Sequence, residues 1–292
     1  SRLQIKKLWI YLSRIIIKHS SNDKESEEPE IENDINDKIG EIECYFDSED
    51  DSDIQILSDK FIKKSNFDIY IGNNKIKYSK FHNFGRGDHK VRFVIFGDMN
   101  MDYMFYDLSS SIKVDMKSEK KAKILSISST FEGCDNLDSI EISGFNTAEL
   151  VSLKRTFYAW SSLDSFDFKN IDTSNVEDMS EMFGLCTNLN NLDLSSLNTR
   201  KVKNMSGIFV DCFSLMTINL GKIDTSSVTD MSSMFENCNS LEELDLSNLV
   251  TSNVRNMSRM FFYVNSLMSL NLSNFDTNNV EDMSSMFAYC RY

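Results

Sequence analysis

Val-Glu-Asp-Met-Ser-Glu-Met-Phe-Gly-Leu-Cys-Thr-Asn-Leu-Asn-Asn-Leu-Asp-Leu-Ser-Ser-Leu, residues 176–197, carries the pattern that organises most of this chain. Met179, Met182, Phe183 and Cys186 are spaced i, i+3, i+4, i+7, which predicts one apolar face of a short helix. Asp178 precedes that run and Glu181 follows three residues on, the arrangement of an N-cap and capping box. Leu189, Leu192 and Leu194 then read L-x-x-L-x-L, which predicts a strand. Asp193, between two inward leucines, faces away from the core on such a strand.

The pattern recurs at one fixed spacing. Phe105, Phe131, Phe157, Phe183, Phe209, Phe235, Phe261 and Phe287 lie 26 residues apart. Thr147, Thr173, Thr199, Thr225, Thr251 and Thr277 keep step with them, as do Val176, Val202, Val228, Val254 and Val280. Self-similarity at this period predicts an α/β solenoid with one short parallel strand and one short helix per unit. Asn204, Asp230, Asn256 and Asp282 repeat the cap of Asp178. The threonine column is expected to form a hydrogen-bonded ladder at a turn.

Cys134, Cys186, Cys212, Cys238 and Cys290 share one position, which other units fill with Leu108, Trp160 and Val264. A site that accepts all four residue types is buried and apolar, so free stacked thiols are expected there. Cys44 stands alone.

Ahead of the repeats the chain changes character three times. Residues 1–19 predict a basic amphipathic helix, with Ile5, Leu8, Trp9, Leu12, Ile15 and Ile16 on one face. That helix suits a membrane surface or packing on protein. Residues 20–40 read as an acidic linker. Residues 41–97 alternate in strand fashion, with Gly72-Asn73-Asn74 as a hairpin signal, and predict a small all-β unit capping the repeats of 98–292. Both ends of the chain are expected to be cut from something longer, with the repeats continuing past Tyr292.

Charge and motifs narrow the function. The net charge of −14 divides unevenly: +5 over 1–20 and −13 over 21–53, which leaves −6 for 54–292. No basic stripe for nucleic acid is visible. No run of about 18 apolar residues predicts a membrane span. His19, His82 and His89 stand in no metal-ligand spacing, and no nucleophile elbow, P-loop or dinucleotide fingerprint occurs. No catalytic residue, metal or cofactor is therefore expected. Asp47, Glu49, Asp50, Asp51 and Asp53 lack the glycine and closing glutamate of a calcium loop. Arg86-Gly87-Asp88 is read as a tight turn.

The column inside L-x-L is the informative one. Glu141, Asp167, Asp193, Asn219, Asp245 and Asn271 are expected to line an exposed, acidic, concave sheet face suited to a basic protein partner.

The segments 172–183, 224–235 and 276–287 (for example Asp-Thr-Ser-Asn-Val-Glu-Asp-Met-Ser-Glu-Met-Phe) resemble the 26-residue repeat of BspA-like leucine-rich-repeat surface proteins. The resemblance covers about 98–292, and the Asn/Ile/Lys-rich, Pro-poor style looks like an AT-rich protist genome. It implies non-enzymatic adhesion or protein interaction at a cell surface, with no functional residues to transfer. An intracellular structural subunit anchored by residues 1–19 is the alternative.

Overall fold

The computed structural model describes residues 34–49 and 51–290, and these form one compact unit. The expected helix and membrane contact of residues 1–19, and most of the linker, lie outside the described residues.

The region after residue 40 is built from short and medium strands. Strands β1 (Gly40–Ser48), β3 (Phe67–Ile71), β4 (Asn74–Ile76), β6 (Gly87–Ile95), β8 (Ser111–Lys117) and β10 (Ser139–Ser143) form one sheet, in the order β10-β8-β1-β6-β3-β4. Alternation decides its faces. Ile42 and Cys44 stand opposite Phe93 and Val91 on one side, and opposite Met116 and Val114 on the other. All six are buried. Gly72, at φ +59°, turns the β3–β4 hairpin, a conformation that costs glycine little. Gly87 and Asp88 open β6 opposite Ser48 and Asp47, so the Arg-Gly-Asp tripeptide leads into a paired strand. The sheet runs past residue 97, because β8 and β10 come from the first two 26-residue units and pair in parallel. Smaller sheets join β2 (Asp53–Gln55) to β5 (Phe81–Asn83), β7 (Met99–Asn100) to β9 (Ile124–Ser126), and β11 (Asn191–Asp193) to β12 (Thr217–Asn219).

The expected α/β leucine-rich-repeat solenoid is corrected. Among the described residues there is no α-helix, only a 3-10 turn at Ile35–Asp37, and the sheets mix parallel and antiparallel pairs. The chain is nearly all β. The segment predicted to be helical is a succession of turns, and two backbone features explain this. Glu181 and Leu185 have φ of +53° and +58°, and the same two positions are left-handed in the next units at Gly207 and Asp211, then Ser233 and Asn237. A left-handed residue every fourth position cannot sit in a right-handed helix. The hydrogen bonds follow a different rule too. The N–H groups of Met179, Glu181, Phe183 and Leu185 donate to the carbonyls of Asn204, Ser206, Ile208 and Val210 in the next unit, at 2.8–3.0 Å. Those of Met182, Gly184 and Cys186 donate three residues back, at 3.2–3.3 Å. Alternate amides thus bond along the chain and across to the neighbouring unit, where a helix would direct every one four residues back.

The apolar spacing still marks the core, since Met179, Met182, Phe183 and Cys186 are all buried. The capping position also has a different job. Asp178, Asn204, Asp230, Asn256 and Asp282 form successive single parallel bridges. Each also accepts from the backbone N–H two residues on, as Asp178 Oδ1 does from Ser180 at 2.8 Å. These are Asx turns.

Three side-chain columns tie the units together. Phenylalanine rings stack with centroids 5.5–6.3 Å apart from Phe105 to Phe287. Four threonine hydroxyls relay a bond to the next unit: Thr199 accepts from the N–H of Asp224 and donates to its carbonyl, at 2.8 and 2.9 Å. Thr173, Thr225 and Thr251 repeat the contact, as the sequence leads one to expect. The cysteine column does more than fill space. Cys134, Cys186, Cys212 and Cys238 are free and buried, and each thiol donates to a phenylalanine carbonyl of the preceding unit, at 2.9–3.2 Å.

Burial pushes the Cys134 and Cys186 thiols up to about 12 and raises those of Cys212 and Cys238 as well. A raised thiol pKa means almost no thiolate at pH 8. The folded protein is therefore expected to leave these four thiols unmodified by an aromatic disulfide reagent at pH 8, and to expose all six cysteines in denaturant. Rapid native reaction of the four would contradict this packing.

Candidate functional site

The candidate face is built from the L-x-L segments, and the structure breaks it into pieces. Glu141 lies on β10 beside Asp115 of β8, in the six-stranded sheet. Asp193 and Asn219 face each other in the separate β11–β12 pair. Asp167, Asp245 and Asn271 belong to no strand. One continuous sheet face is therefore not what these residues make. All six are exposed, as their outward position demands.

Five of the six are held by the same local device. Oδ1 of Asp167 accepts from the N–H of Lys169 at 2.9 Å, and Oδ1 of Asp193 from Ser195 at 2.8 Å. Asn219, Asp245 and Asn271 accept likewise from Gly221, Ser247 and Ser273, at 2.9–3.0 Å. The residue type is thus explained first by the turn: Asp and Asn both carry the oxygen an Asx turn requires. The sequence signal for this was an Asp or Asn followed two residues later by Ser, Gly or Lys, and outward alternation alone overlooked it.

The turn uses one oxygen and leaves the other. Asp193 Oδ1 receives a second bond, from Asn219 Nδ2 at 3.1 Å, and the carboxylate remains exposed. The Asp245 carboxylate is exposed too, and Glu141 makes no side-chain hydrogen bond or ion pair within the described chain. Asp167 Oδ2 is held by Lys169 Nζ at 2.6 Å in a solvent-exposed pair. Hydrogen bonds from the side chain and backbone of Ser195 hold the Asp193 carboxyl below the usual range, and Ser247 does the same for Asp245. Both remain charged in mild acid.

Beside Glu141 and Asp167 the face is indented. A cavity of about 280 Å³ opens between β10 and residues 166–171, with Ile140, Ile142 and Phe166 in its wall and Lys169 at its edge. Nothing in the sequence reading pointed to Phe166 or Lys169. Among the described residues no cluster of histidine, cysteine and carboxylate side chains could hold a metal ion, and no helix is long and apolar enough to cross a membrane.

These observations define a nearly all-β protein assembled from 26-residue units that present turn-held carboxylates. The family whose model matches is described as Mycoplasma protein of unknown function, DUF285, over residues 99–218 and 204–292. The matched segments cover about two thirds of the chain, and the chain belongs to this family. The BspA-like, leucine-rich-repeat resemblance is corrected accordingly: the family match is to this group, and the predicted helix of each unit is replaced by turns. No curated protein and no solved structure matches the chain.

Proposed function

We propose that the chain is a non-enzymatic protein-interaction module that engages a basic partner through its turn-held carboxylates. The supporting observation is that Glu141 makes no side-chain hydrogen bond or ion pair within the described chain, while Asp193 and Asp245 present exposed carboxylates on a tied backbone. Fixed charges cost less ordering on association than mobile ones, and charge complementarity speeds encounter and selects partners.

The turn chemistry provides a clean test. Asparagine already holds the equivalent turns at 219 and 271, so Asp→Asn keeps the Oδ1 acceptor and removes only the charge. The double variant D193N/D245N is expected to keep the wild-type Tm and to lose a partner that the wild-type protein captures from its native lysate. D193A, which deletes the acceptor, is expected to lower the Tm. Wild-type binding should weaken with added salt and persist as pH falls to about 5, because both carboxyl groups titrate below the usual carboxylate range. Equal capture by wild type and D193N/D245N across the salt series would reject the reading.

A further inference from the structure

We propose that the cavity between β10 and residues 166–171 receives an apolar side chain of the protein partner, with an adjacent basic residue of that partner resting on Glu141. The inference rests on the interaction reading above and assigns it a docking point.

The cavity exists because the parallel ladder is interrupted. β10 pairs with β8 on one side, whereas the equivalent segment of the next unit, 165–168, forms no strand against its other side. Two units later the same segments do pair, as β11 and β12, and Leu192 and Leu194 on β11 are buried. At the interruption Ile140, Ile142 and Phe166 are only partly covered. Their side chains belong to the inward set, so the gap leads from the charged outer face toward the core.

Its dimensions and walls select the occupant. A volume of about 280 Å³ falls just under the span of about 300–1,000 Å³ usual for small-molecule pockets, and suits a single side chain. The wall is fixed in advance: the Phe166 ring packs on Phe157 at 4.5 Å and edge-on against Phe168 at 4.7 Å. A pre-organised wall loses little entropy on binding. At the mouth, Asp167 is neutralised by Lys169 while Glu141 is not, so the rim keeps one net negative charge. An apolar side chain next to a lysine or arginine matches floor and rim together. An apolar side chain beside an acid matches the floor and is repelled at the rim.

The test is an NMR titration of the full ¹⁵N-labelled chain with three capped dipeptide amides: Leu-Lys, Gly-Lys and Leu-Glu. Leu-Lys is expected to shift the amides of 140–143 and 166–171. Leu-Glu should bind about tenfold more weakly, the size of one lost charged contact, and Gly-Lys at least about tenfold more weakly, because it loses the buried apolar side chain. E141Q should erase the preference for Lys over Glu without disturbing the rest of the spectrum. Equal binding of the three peptides, or shifts lying elsewhere, would overturn the proposal. Peptides that miss the gap while D193N/D245N still loses its partner would overturn this docking point alone. Peptides that fill the gap while that variant keeps its partner would uphold the docking point and remove the wider face.

Discussion

Replacing Phe209 by alanine is expected to cost about 3–5 kcal/mol, the usual range for a large aromatic removed from a tight core. Phe209 is fully buried, between Phe183 at 6.2 Å and Phe235 at 5.6 Å. Its loss opens a cavity and removes two ring contacts, each worth about 0.5–1.5 kcal/mol beyond area burial. The unit cannot collapse into the hole, because its backbone is bonded on both sides: Phe209 donates to Met234, and Phe183 donates to Ile208. Phe287 occupies the same column, yet it is 49% exposed and touches only Phe261 in the ring stack. F287A should therefore cost clearly less than F209A. Urea unfolding measures both, read as a lower midpoint at unchanged slope. Equal losses would mean that stacking within the column does not set stability.

Much of this was legible from residues alone. The 26-residue period located every buried phenylalanine of the column from Phe105 to Phe261, the threonine relay and the unpaired thiols. Alternation along Ile42, Cys44 and Phe46 and along Val91, Phe93 and Ile95 located the N-terminal sheet. The backbone path between the apolar positions was not legible. Spacing of i, i+3, i+4, i+7 reports which side chains share an interior, and both a helix and a coil of cross-bonded turns satisfy it. What separates them is the sign of φ at Glu181 and Leu185, and neither residue type advertises a left-handed conformation. The available hints were Gly207 at the first of these positions and Gly133 and Asn237 at the second.

The candidate face was half legible for a related reason. Period-two alternation sends Asp193 outward correctly, but it says nothing about the Oδ1 bond to Ser195, which depends on the turn that follows. It also assumes that every L-x-L segment pairs. Residues 165–168, 243–246 and 269–272 do not, and the cavity beside Glu141 lies at the first of these interruptions. The aromatic pair Phe166 and Phe168 stands where other units place aliphatic side chains such as Leu192 and Leu194.

Each unit is a coil of turns with left-handed residues at two positions, bonded to its neighbours. Gly207 tests it by sign. Its φ is +57°, and an added Cβ would lie 3.2 Å from Glu181 Cγ and 3.3 Å from Val210 Cγ1. In this coil, G207A places an L side chain in left-handed backbone, at a cost of about 1–2 kcal/mol, and the two tight contacts add to it. In a helix the same substitution would remove a glycine from the interior and stabilise the protein by about 0.5–1 kcal/mol. The urea midpoint of G207A against wild type is therefore the decisive measurement. A lower midpoint is the predicted result, and a higher one would contradict the account.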